Sequence, residues 1–578
     1  MVPPRPASNT PERRAIACEL LSTLYLGFII LAKMATSMFA SLAALVCLQA
    51  PLSAASSHHG VRHRSLAQSS VPKMCSANSA EIVNNSTEIF PYQSFQSFSG
   101  TPPQLNITTN GEPLADGLIF FGPNGESGAG KPKEVTNFIM TDTGDLVYAH
   151  PATRAPTDFK VQTLKGQPVV TYYTPVGSQP FVGIGWGNVH ILDNTYKEIH
   201  TVCPKLNLHK GDGTIAECGS DLHEHYITED NTLLTTAFNV TQYDLTPLGG
   251  TKNDWIINAI VLELDIESGE VIWQWSLIDH IPITQSHAGV PKNGVKQSGA
   301  IDLYHMNSIQ QYGDYVFINC RHTWSSYLIN RKTGKIEWTI DGETGGDFGK
   351  LPENGTFSWE HHGRLHNMTD SSVVLSYFAN NNNAASKQAV SKGLVLELTL
   401  PPNPDSPPKL LADLYDADDL QNAWAEGSTS ILSNGNYFMG YGSVAVIKEY
   451  GPSAATGQDV RWTGRFDAVG GGDSYRAFKQ VWHAIPASPP SLVISKGDMP
   501  ESLSKCTNSS DTALAYVSWN GATDVNWYDV YGGSSESDLK LIGTVKKQGF
   551  ETVFPIHTSH KVVMVSALER NSSVVNMA

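Results

Sequence analysis

Beyond about residue 90 the chain is built from short runs in which apolar and polar residues alternate, separated by polar turns that end in glycine. LDIESGEVIW (Leu264 to Trp273), INRKTGKIEW (Ile329 to Trp338) and MTDTGDLVY (Met140 to Tyr148) share one plan, with an aromatic residue four positions after the glycine. Period-two alternation turns one face of each run to a core, and the turn reverses the chain, so each segment predicts a β-hairpin. EYGPSAATGQDVRW, ending at Trp462, is a looser copy, and weaker turns fall near Tyr196 in ILDNTYKEI and near Asp405 in LELTLPPNPDSPPKLL. From Gly144 to Gly457 these turns recur roughly every sixty residues, the mark of stacked repeat units. The pattern predicts an all-β protein, a six-bladed β-propeller over residues 91–500, with long loops between strands. After Pro500 the runs shorten, and residues 501–578 read as a small β-rich segment resembling part of a fibronectin-like sandwich.

The first residues follow a different pattern. Arg13 and Arg14 precede an apolar run from Leu20 to Ala32, Lys33 interrupts it, and a second run spans Met38 to Leu48 before Ser53, Ala54 and Ala55. Neither run reaches the ~20 apolar residues of a spanning helix. Read from Met34, the segment is a compact secretory signal with cleavage near Ala55. Residues 1–55 are therefore expected to be a signal region, 56–90 a flexible leader rich in Ser, Asn and His, and the mature chain secreted without a membrane span.

Composition narrows the classes. With 40% hydrophobic and 16% charged residues the 578-residue chain is globular, and a net charge of −16 argues against a nucleic-acid partner. Eight Asn-X-Ser/Thr sequons, at Asn84, Asn85, Asn106, Asn239, Asn354, Asn367, Asn508 and Asn571, fit a secreted glycoprotein. Beyond the signal region stand Cys75, Cys203, Cys218, Cys320 and Cys506. Cys203 and Cys218 bracket a glycine-containing loop and are the expected disulfide, whereas Cys320 in an apolar strand is expected to be a buried free thiol.

Candidate chemistry gathers in DLYHMNSI, NCRHTW and WEHHGR, which carry His305, Arg321, His322, His361, His362 and Arg364, with His223 in DLHEHYIT. An imidazole serves as nucleophile or proton carrier near neutral pH, and a guanidinium fork holds anionic oxygens, so the pairing points to transfer of a charged group. His223 and His361 stand at similar distances before the turns at Gly269 and Asp405, which places them at equivalent positions in two blades. A strand alternates its faces, so only one of His361 and His362 can look into a given site. Plain readings apply to other residues: Asn307 and Ser308 fix a turn, His322, His366 and His483 are structural, and Trp324, Trp338 and Trp359 pack. For Arg364, anion binding and a structural ion pair are both open.

From about Pro91 to Leu568 the chain resembles the fungal branch of the arylsulfate sulfotransferase family, through DLYHMNSI, NCRHTWSSYLINRKTGKIEW, DFG followed by FSWEHHGR, AEGSTSILSNGNYFMGYG, SYRAFKQVWHAIP and SWNGAT. The resemblance implies a six-bladed propeller that moves a sulfuryl group from a phenolic sulfate ester to another phenol through a sulfohistidine, without a phosphoadenosine donor, a metal or another cofactor. It assigns His361 as the nucleophile, His305 and His223 as further catalytic histidines, and Arg321 as the sulfate-holding arginine, with Arg364 a second candidate for substrate binding. Glu360 stands where glutamine is expected, and a carboxylate there repels an anionic donor unless it points away. Its partners would be small molecules, an aryl sulfate and a phenol. Rival functions are a metal enzyme built on the His223/His225 spacing, a secreted binding propeller without chemistry, and a propeller enzyme diverged toward secondary metabolism.

Overall fold

The computed structural model describes residues 46–47, 71–124, 130–151, 156–383, 385, 389–453, 459–468, 471–506 and 511–569. The expected signal region lies outside the described residues apart from Val46–Cys47, as do the leader up to residue 70, Asn508, Asn571 and the turn at Gly457.

The fold is nearly all β and made of many small antiparallel sheets. Strands β1 (Thr157–Leu164), β2 (His225–Ile227), β3 (Met306–Tyr312), β4 (His361–His366), β5 (Ser428–Ile431) and β6 (Asp473–Gln480) each form one end of a sheet whose main path is at least four strands deep. Each touches the next in sequence, and β6 returns to touch β1, so the six strands form a closed cycle. The last sheet mixes distant parts of the chain, because β6 pairs with Leu118–Asn124, which leads into Phe138–Met140 and Leu146–Ala149. That pairing completes the sixth sheet and brings the N-terminal strands into the cycle.

The hairpins expected from the alternation are the outer two strands of these sheets, except that Asn106–Thr109 adds one more strand outside Val460–Arg465. The turns at Gly144, Tyr196, Gly269, Gly334 and Asp405 join paired strands, and Val446–Tyr450 pairs with Val460–Arg465 across the undescribed turn. Gly144, Gly269 and Gly334 have φ of 86°, 72° and 69°, a left-handed conformation that a Cβ disfavours. The apolar faces pack between neighbouring sheets, with Trp186, Phe238, Leu262, Met306 and Ile318 in one continuous core. Burying each such side chain contributes about 1.5–3 kcal/mol.

Two further sheets hold the C-terminal strands, packed through Ala515, Val530, Phe554 and Val565. Their bounds differ from the expectation at both ends. Ser491–Ser495, placed within 91–500 by the pattern, pairs here with Thr512–Ser518. The expected leader is not loose beyond residue 71: Lys73–Met74 runs along Lys540–Lys546, Ala77–Asn78 pairs with Glu551–His557, and Glu81–Val83 pairs with Tyr92–Ser94. The first two cover edges of the C-terminal sheets that would otherwise present unpaired backbone. Cys75 and Cys506, for which the sequence suggested no pairing, form a disulfide between this leader and the C-terminal part. Cys203 and Cys218 form the expected bridge, and Cys320 is free and buried. Among the described residues no helix is long and apolar enough to cross a membrane.

Candidate active site

The histidines meet where the strands of the cycle begin. His223 lies just before β2, His305 just before β3, His361 opens β4, and Arg321 follows the strand Tyr315–Cys320 that pairs with β3. The rings of His223 and His305 lie 4.7 Å apart, those of His305 and His322 4.8 Å, and those of His305 and His361 6.4 Å. His223, His305, Arg321 and His361 thus come together. Strain marks the same place: His305, Trp324, Trp359, His362 and Glu426 all hold positive φ, between 49° and 64°, without being glycine. Such conformations cost of order 1–3 kcal/mol each and gather at functional sites.

Hydrogen bonds fix the state of each ring. Asn380 donates through Nδ2 to the carbonyls of Ala423 and Glu426, so its Oδ1 must accept, and it accepts from Nδ1–H of His361 at 2.7 Å. The lone pair of His361 therefore sits on Nε2, where it receives only a long 3.2 Å contact from the Glu426 N–H. Burial, reinforced by the Arg321 charge, holds this imidazole well below its ordinary pKa, so it is neutral and nucleophilic.

His223 and His305 are arranged differently. Nδ1 of His223 faces Asp221 at 2.6 Å, Nδ1 of His305 faces Asp302 at 2.5 Å, and the two Nε2 atoms face each other at 3.1 Å. With both Nδ1 atoms donating to carboxylates, two lone pairs would oppose each other, so one shared proton belongs between the rings. Burial and the His223 charge keep His305 well below the usual imidazole range. Each histidine follows an aspartate in the same short motif, DLH and DLYH. The repeated Asp before His was a readable signal for both carboxylates.

Arg321 is held at both ends of its fork and free at the base. Nη1 donates to Nε2 of His322 at 2.9 Å and Nη2 to the Trp424 carbonyl at 2.8 Å, while His322 donates through Nδ1 to the Asp302 carbonyl. The guanidinium lies 5.1 Å from the Trp359 ring, and Trp359 meets Trp324 edge-on at 5.4 Å. Trp338 packs in the core as expected, but Trp324 and Trp359 are half-buried and wall the site. His322 is satisfied, as expected of a structural residue, yet its role is to position Arg321. Nε of Arg321, Nε1 of Trp324 and the hydroxyl of Tyr475, whose ring stands 5.7 Å from that of His223, are buried without a hydrogen-bond partner among the described residues. All three are donors. A ligand rich in acceptor oxygens would satisfy them.

Glu360 is fully buried, and burial pushes its carboxyl up to about 8. It is neutral at pH 7, so it neither repels an anion nor cancels the charge of Arg321. Asn307 and Ser308 lie within β3, not in the expected turn. Asn307 Nδ2 donates to the Glu360 carbonyl at 2.7 Å and Ser308 Oγ accepts from the Gly363 N–H at 3.0 Å, pinning the backbone on both sides of His361 and His362. His362 turns away from the site, with Nδ1 at 3.0 Å from the Thr429 carbonyl.

Arg364 is not brought to the cluster. It pairs with Glu224 at 2.5 Å in a buried ion network with Asp158, Lys160 and Arg476 that fills the middle of the cycle. Strand alternation and the irregular pairing between His361 and Arg364 carry it toward the opposite end. His366 bonds Ser376, and the exposed His483 pairs with Asp524.

Asp302, His305 and His322 also offer ligand atoms within 4.8 Å of one another. Here both histidines spend Nδ1 on oxygens of Asp302, and Arg321 donates to the remaining nitrogen of His322. A cation at this trio would face a guanidinium.

Solved structures similar to the chain include a protein of unknown function from Bacteroides caccae (10% identity, 63% of this chain and 98% of that one, TM-score 0.32). Others are the Fusarium graminearum α-L-arabinofuranosidase Arb93A (9%, 70% and 94%, 0.28) and the β-propeller domain of Cps50 (Swd1) from Myceliophteria thermophila (10%, 55% and 98%, 0.24). None of the curated proteins matches the sequence. A family model described as Arylsulfotransferase (ASST) matches residues 160–461, more than half of the chain and the whole stretch that carries His223, His305, Arg321, His361 and Asn380, and on that match the chain belongs to the arylsulfotransferase family.

Proposed function

We propose that this protein is a secreted member of the fungal branch of the family, a six-bladed propeller that moves a sulfuryl group from a phenolic sulfate ester to a phenolic acceptor through a sulfohistidine at His361. The observation that carries this reading is the set of buried, unpartnered donors on Arg321, Trp324 and Tyr475 beside a neutral imidazole with its lone pair on Nε2. Non-bridging sulfate oxygens match those donors, and the Trp324 and Trp359 walls suit an aryl group.

In the first half-reaction the Nε2 pair of His361 forms the N–S bond as the S–O(aryl) bond breaks, its electrons leaving on the phenolate oxygen. The proton between His223 and His305 moves to that oxygen, releasing the phenol. Nδ1–H stays on Asn380, so the sulfohistidine is an imidazolium carrying SO₃⁻. In the second half the acceptor phenol gives its proton back to the histidine pair while its oxygen attacks sulfur and Nε2 recovers its pair. Arg321 steadies the oxygens throughout. No phosphoadenosine donor enters this scheme. The cycle of β1 to β6 supports the six-blade reading. The disulfides and the apolar runs of residues 1–55 support secretion, and exposed Asn84, Asn85, Asn106, Asn354 and Asn367 suit glycan attachment.

Incubation with p-nitrophenyl sulfate and an acceptor phenol tests the reading. Acceptor-dependent release of p-nitrophenol, lost in His361→Ala, is the expected result. Release that ignores the acceptor indicates a sulfatase, and no release from either protein favours a binding or diverged propeller. A second reading rests on His223 and His305: facing Nε2 atoms, each ring backed by a carboxylate, also suit a bound cation. Stoichiometric metal in the purified protein would favour it.

A further inference from the structure

At the other end of the cycle, where β1, β2, β4, β5 and β6 finish, lies a separate cavity of 610 Å³ lined in part by Lys160, Tyr226, Arg364, His366, Thr429 and Phe478. None of His223, His305, Arg321 or His361 reaches it. The ion network stands between the two ends, and its charges do not balance. Lys160, Arg364 and Arg476 are cations, whereas Asp158 and Glu224 are the only carboxylates paired with them among the described residues. His225 beside them is held neutral, burial lowering it to about 3, and His362 is likewise neutral through burial. One positive charge is therefore left over in a buried set, where an unmatched charge is costly. Lys160 and Arg364 are the members that open onto the cavity. The other charges on its lining are at the rim: Lys165, already paired with Glu267, and the exposed Glu229. Inside, the Thr429 side chain is fully buried and its hydroxyl has no hydrogen-bond partner among the described residues.

We propose that this cavity is a second binding site for a small aromatic monoanion, its carboxylate or sulfonate headgroup set against Arg364, Lys160 and Thr429 and its ring resting on Tyr226 and Phe478. The headgroup supplies the missing negative charge, and the half-buried Tyr226 and buried Phe478 provide the flat apolar surface. The site is independent of sulfuryl transfer and keeps its meaning if that reading fails.

Calorimetric titration of Arg321→Met with para-nitrobenzoate isolates this end, because the variant lacks the guanidinium clamp at the histidine cluster. One saturable equivalent is expected. Adding Arg364→Met should weaken it roughly tenfold or more, the loss of one charge-assisted contact. Adding Ile431→Trp instead, which fills the mouth without touching the ion network, should abolish it. If Arg364→Met does not fold, as read by circular dichroism, Ile431→Trp decides alone. Benzenesulfonate in a parallel arm identifies the preferred headgroup, and binding of either supports the site. Absence of saturable binding of both probes to Arg321→Met, or binding of unchanged strength in Ile431→Trp, overturns the proposal.

Discussion

At the scale of single residues, function turns on which atom holds which proton. Asn380 fixes His361 as the Nδ1–H tautomer, so Asn380→Ala should lose about 2 kcal/mol of positioning and slow kcat roughly thirtyfold, with little change in KM. Single-turnover kinetics reads this directly, and a change confined to KM would contradict it. Because burial and Arg321 keep His361 neutral far below pH 6.5, kcat/KM should not decline as the pH falls through the ordinary histidine range. The alkaline side differs. Glu360 releases its proton near pH 8, placing a carboxylate beside Arg321, so activity should fall as the pH rises through that value. Glu360→Gln should remove this alkaline limb from the pH profile, and a limb that persists in the variant would assign it to another group.

At the scale of strands, DLYHMNSI does more than carry a histidine. Asn307 and Ser308 tie β3 to the start of β4, so Asn307→Ala should cost about 1–3 kcal/mol of stability and also lower kcat, since the Glu360 carbonyl loses its anchor. Thermal melting and turnover measured together check this; full activity in a destabilised variant would place Asn307 in the scaffold alone. This role escaped sequence reading because a sheet-to-sheet hydrogen bond leaves no local pattern, and Asn-Ser reads as a turn. The hairpins were legible for the opposite reason: their alternation, turn and left-handed glycine lie within ten residues. The site was legible in part. His223, His305, Arg321 and His361 announce themselves by residue type, but the DLH and DLYH carboxylates, the Trp324 and Trp359 wall and the placement of Arg364 depend on which strands become neighbours around the cycle.

At the scale of the whole molecule, closure joins distant sequence twice. Leu118–Asn124 completes the sheet of β6, and Cys75 is bonded to Cys506, 431 residues later. A cross-link over so long a loop restricts the unfolded chain by roughly 6 kcal/mol in the chain-entropy account. Cys75→Ser should lower the melting temperature by more than Cys203→Ser, whose loop is short; equal effects would show that local strain outweighs loop length. The many buried neutral histidines set the acid side of stability. His305, His361 and His362 lie well below 6.5 in the fold, whereas the unfolded chain takes up protons near that value, so stability should drain as the pH falls below it. Glu360 acts in the other direction, keeping its proton up to about 8 when folded, so its contribution is lost as the pH rises from the usual carboxyl range to that point.

The most direct test of the account is to trap the intermediate. The protein is mixed with p-nitrophenyl sulfate in the absence of acceptor, quenched at alkaline pH, digested and examined by mass spectrometry. The account predicts one added SO₃ on the peptide carrying His361, chased off by a phenol and absent in His361→Ala. Release of p-nitrophenol with the label on another residue, or with no label while His361→Ala turns over as fast as the parent, would contradict it.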